Sequence, residues 1–87
     1  MNHGADMAAN SLARCIRGKL ADGTLPRERQ GELWVGYGNG ARCDGCDRTI
    51  TPNHVEHEVV AGGRTLRLHL DCLYVWEHAR FGHHAAR

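Results

Sequence analysis

Two pairs of soft, metal-seeking side chains constrain this chain more than any other feature. Cys43 and Cys46 form C-x2-C, His69 and Cys72 form H-x2-C, and 22 residues separate the pairs. The whole chain has 87 residues, only 6% of them aromatic. A chain this short buries only about 60% of the surface that its unfolded form exposes, so its apolar core is marginal. Domains of this size usually carry a staple: a metal, disulfides or a partner. At 41% apolar residues, the chain is nonetheless too hydrophobic to stay wholly disordered.

The spacing itself suggests which staple. A C-x2-C turn points two sulfurs inward along one edge of a tetrahedron, and Asp44-Gly45 is expected to supply the turn, with Gly45 lending backbone freedom. His69 and Cys72, three apart in a first helical turn, would face the same way. The helix N-terminus would set its positive end beside the thiolates. Three thiolates and an imidazole close a tetrahedral site with no open position, the donor set of one structural zinc ion. Other readings of the four residues are disulfides, a thioredoxin-like redox pair, or side chains that are simply buried. A C-x2-C disulfide closes a strained small loop, and a redox C-x2-C belongs at a helix start in a larger domain. His54 or His57 could replace His69 as the fourth ligand.

Residues 1–10 are small and polar and read as a disordered tail. Ser11 could cap a helix over residues 12–20, in which Leu12, Ile16 and Leu20 repeat at i, i+4, i+8. Asp22-Gly23 ends it and Leu25-Pro26 turns the chain. Residues 27–32 are charged without period. Leu33, Trp34 and Val35 form an apolar knot, and glycines at 36, 38 and 40 follow. We read residues 11–42 as the helix and a Gly-rich linker. A phosphate-cradling loop would need a strand before it and a helix after it.

From Cys43 onward a zinc-binding module is expected over residues 43–81. Residues 54–60 alternate, with Val55, His57 and Val59 on one face and Glu56 and Glu58 on a solvated face. Residues 61–64 make a hairpin turn, and 65–68 alternate again. Leu70, Leu73, Tyr74, Trp76 and Ala79 recur at three and four, giving a helix to about residue 80 that Gly82 would end. Residues 82–87 read as a second tail. The expected core is Leu33, Trp34, Val55, Val59, Leu66, Leu68, Leu73 and Trp76. Cys15 is expected as a free buried thiol. The fold class is thus small α+β: an N-terminal helix, then knuckle, β-hairpin and C-terminal helix.

Knuckle, hairpin, then a helix whose first turn carries the second ligand pair resembles a treble-clef zinc finger. The two pairs and their separation also resemble the first zinc module of a LIM domain. H-x2-C after a long insert is similar to the nick-sensing finger of poly(ADP-ribose) polymerases. The fullest likeness is to small bacterial zinc-finger proteins of unassigned function. It rests on Ile16 to Leu20, Leu25 to Arg27, Cys43 to Pro52, and Gly63 to Trp76. This resemblance implies a fold and a metal and brings no activity with it.

Nothing else in the sequence points to catalysis: it has no Gly-x-Ser-x-Gly and no His-Glu-x-x-His, and Glu56 and Glu58 lack a partnered nucleophile. We therefore expect no enzyme. Net charge is +1, so composition gives no pull toward an acidic or basic partner. Residues 1–42 carry six Lys/Arg against four Asp/Glu. Arg14, Arg17, Lys19, Arg27, Arg29 and Arg42 could form a basic patch for nucleic acid, although nucleic-acid domains usually show a larger excess. No apolar run approaches the roughly 20 residues of a membrane span. The N-terminus also lacks the apolar core of a secretion signal, so a cytoplasmic protein is expected. The expected role is a non-catalytic adaptor with a protein partner, or alternatively a nucleic-acid-binding finger. Exposed cations converging beside Trp34 or Tyr37 would favour nucleic acid, and an exposed apolar patch would favour protein.

Overall fold

The computed structural model describes residues 3–85, and the side chains of residues 11–81. Five elements follow one another: α1 (His3–Ala21), β1 (Arg29–Tyr37), β2 (Val55–Ala61), β3 (Arg64–His69) and α2 (Leu70–Ala85). The strands form one antiparallel sheet in the order β1-β2-β3. The chain is therefore a small α+β fold with a knuckle over residues 41–50 inserted between β1 and β2.

Gly62 and Gly63 join β2 to β3 with φ of 59° and 78°. Two successive positive φ values define the mirror-image turn whose twist matches paired strands, and glycine adopts it without steric cost. That turn fixes the register from Ala61↔Arg64 to Glu56↔His69. It also places His57, Val59 and Ala61 beside Leu66 and Leu68 on the face toward the helices. All five are buried there.

The core is completed from outside the sheet. Ile16 and Leu20 of α1, Leu25, Ile50 of the knuckle, and Leu73 and Trp76 of α2 are all buried. Trp76 donates its indole N–H to the Pro26 carbonyl at 2.9 Å, which ties α2 to the turn after α1. The expected α1 stripe of Leu12, Ile16 and Leu20 is the face that packs.

Several expectations are corrected. The segment 29–37, expected as part of a linker, is the strand β1. Of the expected core, Leu33, Trp34 and Val55 are 38%, 57% and 42% exposed. These three lie on, or pair with, a strand that no helix covers. Residues 3–10, expected as a tail, belong to α1, so Ser11 lies inside the helix and does not cap it. Ala5, Ala8 and Ala9 give that stretch intrinsic helix propensity. Gly82 does not end α2, which runs on to Ala85. A glycine inside a helix costs only about 1 kcal/mol relative to alanine.

Glu56 is corrected too, since it is 3% exposed rather than solvated. On the outer sheet face Arg67 bridges it, at 3.3 Å, to Glu58, at 3.5 Å. Burial first, and then the neighbouring Glu58 carboxylate, push the Glu56 carboxyl above its usual range.

The corrected core makes a stability prediction. Leu66→Ala, at a fully buried site, should cost about 2–5 kcal/mol. Val55→Ala should cost about 1 kcal/mol or less, as for a largely exposed position. Urea unfolding of the two variants measures the difference.

Candidate metal centre

Cys43, Cys46, His69 and Cys72 come together. Their ligand atoms all lie within 4.8 Å of one another. Two come from the knuckle, one from the last residue of β3 and one from the first turn of α2. His69 thus belongs to the strand rather than to the helix, and the strand-to-helix junction turns it toward Cys72.

The knuckle is a short closed loop. Ile50 N–H donates to Ala41 O at 2.7 Å and Gly40 N–H to Ile50 O at 3.0 Å. Within it Cys43 N–H donates to Arg48 O, and Asp47 N–H to Cys43 O. The left-handed residue of the turn is Asp47, with φ of 69°. Gly45 is needed for a different reason from the expected one. A Cβ on it would stand 2.9 Å from Cys72 Cβ and 3.3 Å from Ile16 Cδ1. The glycine lets α1, the knuckle and α2 approach one another at the ligands.

The geometry fits a tetrahedral ion. His69 Nδ1 lies 3.4 Å from Cys46 Sγ and 3.8 Å from Cys72 Sγ. Arms of about 2.3 Å to sulfur and about 2.0–2.1 Å to nitrogen give S–N edges near 3.5 Å. The other ring nitrogen, Nε2, is 3.2 Å from Thr49 O. A carbonyl can only accept, so Nε2 carries the proton and Nδ1 keeps its lone pair for the metal. His54 stands edge-on to the His69 ring with centroids 5.0 Å apart. Its own Nδ1 faces Thr51, so it buttresses the ligand and is not part of the set.

The chemistry of the sulfurs also calls for a cation. A hydrogen bond from the Cys72 thiol lowers Cys43 to about 4, and backbone amides of Cys46, His69 and Gly45 assist. The same contact, with burial and the charges of Cys43 and Cys46, pushes the Cys72 thiol up. Burial chiefly raises Cys46. One thiolate is therefore well supported, and the second and third need a positive charge among them.

Charges on the knuckle rim hold it in place. Lys19 of α1 donates to Asp44 O at 2.9 Å and pairs with the Asp47 carboxylate at 2.7 Å. Arg42 reaches the same carboxylate at 2.9 Å. Both cations depress the Asp47 carboxyl. Asp44 exchanges hydrogen bonds with the backbone of Arg67: its N–H donates to Arg67 O, and its Oδ2 accepts from Arg67 N–H, each at 2.8 Å.

The remaining candidates are placed as follows. Arg14 and Arg17 are exposed on α1. Arg29 pairs with Glu77 of α2, and Arg27 lends its carbonyl to Arg80 at 3.1 Å. Cys15 is exposed, not buried as expected, and its Sγ lies 3.7 Å from Gly45 O. His57 is buried in the sheet away from the cluster, with no partner for either ring nitrogen among the described residues. His78 is exposed, and the side chains of His83 and His84 lie outside the described residues. Sequence reasoning missed Thr49, His54 and Asp47 as supports of the site. Thr49 acts through its backbone carbonyl and left no side-chain signal. No helix among the described residues is long and apolar enough to cross a membrane.

Compared with protein-family models, curated proteins and solved structures, the chain matches none. The class of the protein therefore rests on its own geometry: a small α+β fold with a Cys3His cluster able to hold a metal such as zinc.

Two predictions follow from the packing and the charges. Gly45→Ala should destabilise the metal-loaded protein by about 1–3 kcal/mol, the usual cost of overpacking. Thermal unfolding against the wild type measures it. Acid should release the metal, because protons compete for thiolates and imidazole. The Cys43 thiol is held below its ordinary value of 9.0, at about 4. A lowered thiol stabilises the folded state above its unfolded pKa, and that contribution is lost as pH falls through the folded one. Metal release followed by a colorimetric chelator should be complete below about pH 4 and absent near pH 7.

Proposed function

We propose that this chain is a treble-clef zinc finger with one structural Zn2+ on Cys43, Cys46, His69 and Cys72, acting as a non-catalytic adaptor that docks another protein. The observation that carries the metal reading is the convergence of the four ligand atoms within 4.8 Å, with Nδ1 of His69 freed for coordination. Four ligands from the chain leave no open position for a substrate, which supports a structural site over a catalytic one. When bound, zinc would supply the charge that three crowded sulfurs lack. Knuckle, then hairpin, then ligand-bearing helix is the order that supports the treble-clef reading.

A protein partner is favoured over nucleic acid by what lies on the surface. Lys19, Arg29 and Arg42 are committed to carboxylates, so the basic residues of the N-terminal half do not form one free cationic face. Leu70, Tyr74 and Phe81 of α2 are 42%, 64% and 54% exposed. Spaced four and seven apart, they share one helical stripe. Glu77 lies in that stripe and pairs with Arg29 at the start of β1, so the stripe reaches the end of the strand that no helix covers. Exposed aromatic and aliphatic side chains in a row are typical anchors for a partner.

The test has two arms. Elemental analysis should find one zinc per chain, retained in Cys15→Ser and lost in Cys43→Ser, Cys46→Ser and Cys72→Ser. Affinity capture from native extract, with and without nuclease, should return a partner that survives nuclease and is lost with Tyr74→Glu. A partner released by nuclease would favour the nucleic-acid reading. A metal-free, well-folded wild type would remove the zinc finger itself.

A further inference from the structure

The two outer strands of the sheet are treated differently. The β2–β3 turn makes Ala61–Arg64 a hydrogen-bonded pair, so the odd residues of β2 bond to β3 and the even ones to β1. On β3 this leaves Arg67 among the residues whose N–H and C=O point outward. The knuckle takes both, through Asp44 N–H and Asp44 Oδ2, each at 2.8 Å. At Arg67, the middle of its outward-facing residues, the edge of β3 is closed by the fold itself.

β1 has no such cover among the described residues. Gly38 N–H donates to His54 O at 2.9 Å, so the even residues Trp34, Gly36 and Gly38 bond inward to β2. Leu33, Val35 and Tyr37 turn their N–H and C=O groups outward. Their side chains point to the helix-side face, yet they are 38%, 50% and 83% exposed. Natural sheets protect an open edge with lysine, proline or inward charges. Between Glu32 and Arg42 this chain has none. The one irregularity of β1 lies before Leu33, between Arg29 and Leu33.

The geometry points to a second copy of this chain as the occupant of the β1 edge, paired antiparallel about a two-fold axis through Val35. The regular stretch from Leu33 to Tyr37 is itself centred on Val35, so this register uses all of it in both copies. Val35 pairs with Val35 of the second copy, and Leu33 with Tyr37 of the second copy. These pairs and their symmetry mate are three bonded pairs, giving about six main-chain hydrogen bonds.

Side chains agree with the register. On the outer face Trp34 falls opposite Gly36 of the second copy, which that copy's own Trp34 ring covers, so the two indoles meet across the seam. Trp34 already lies across its own Gly36, where a Cβ would stand 2.2 Å from the ring. Leu33 meets an aromatic ring, a favourable cross-strand pair. Glu32 falls opposite Gly38 of the second copy, so no like charges meet. The product is a continuous six-stranded sheet whose outer strands are two copies of β3, each capped at Arg67 by its knuckle.

This inference stands apart from the adaptor reading, since the β1 edge and the α2 stripe are different surfaces. Light scattering behind size exclusion, across a concentration series of the metal-loaded protein, should approach twice the chain's 9.6 kDa. Val35→Pro removes an N–H that bonds to nothing within one chain, and proline is tolerated at such an edge position. It should give a metal-loaded monomer, as should Val35→Lys. Amide exchange at Leu33, Val35 and Tyr37 should slow as the wild-type dimer forms. A wild type that stays monomeric would overturn the proposal. So would a dimer in which those three amides exchange as freely as in the monomer, because pairing must then use another surface or an unrelated strand.

Discussion

Three sulfurs and one imidazole nitrogen held within 4.8 Å of one another are the tightest chemical constraint in this molecule. Without a cation that arrangement is unfavourable. One thiolate, Cys43, is well supported by donors, and the same crowding opposes ionisation of Cys46 and Cys72. A divalent soft-to-borderline metal reverses the sign of the interaction, turning mutual repulsion into shared coordination. The site is also where the fold's parts meet, since its ligands come from the knuckle, the end of β3 and the start of α2. Removing a bound ion would therefore act on all three at once.

The scaffold around the site is built for close approach. Gly45 lets Cys72 and Ile16 come within van der Waals contact of the knuckle. Lys19 draws the end of α1 onto Asp44 and Asp47, and Asp44 then fastens the knuckle to β3. The core inside this frame is thin, and buried polar atoms lie on both faces of the sheet. His57 and Oε1 of Glu56 are buried without hydrogen bonds among the described residues. A buried unsatisfied group costs about 1–3 kcal/mol. Coordination of a metal by the Cys3His cluster would add stability to such a core.

The Cys3His cluster was legible in the sequence because metal ligation fixes residue type and spacing together. The hairpin was legible because Gly62-Gly63 sits between two alternating runs. The strand β1 was not. Its helix-side residues Leu33, Val35 and Tyr37 do alternate, but Trp34 fills one gap and Gly36 and Gly38 interrupt the run, so the period was hidden. Its pairing is long-range, with Tyr37 opposite Val55 across the whole knuckle. The start of α1 and the end of α2 were misjudged for a common reason. Serine and glycine mark helix ends only when the backbone actually leaves the helix there, and local composition does not decide that. Glu56 was hidden because its burial comes from neighbouring side chains on the outer face.

X-ray absorption at the zinc edge tests the central claim most directly. Our account predicts a four-coordinate ion with three sulfurs at about 2.3 Å and one nitrogen at about 2.0–2.1 Å. Four sulfurs would bring in Cys15 in place of His69. Two sulfurs with light-atom ligands, or a coordinated water, would mean an open site. Either result would contradict a closed Cys3His centre as the element on which this fold depends.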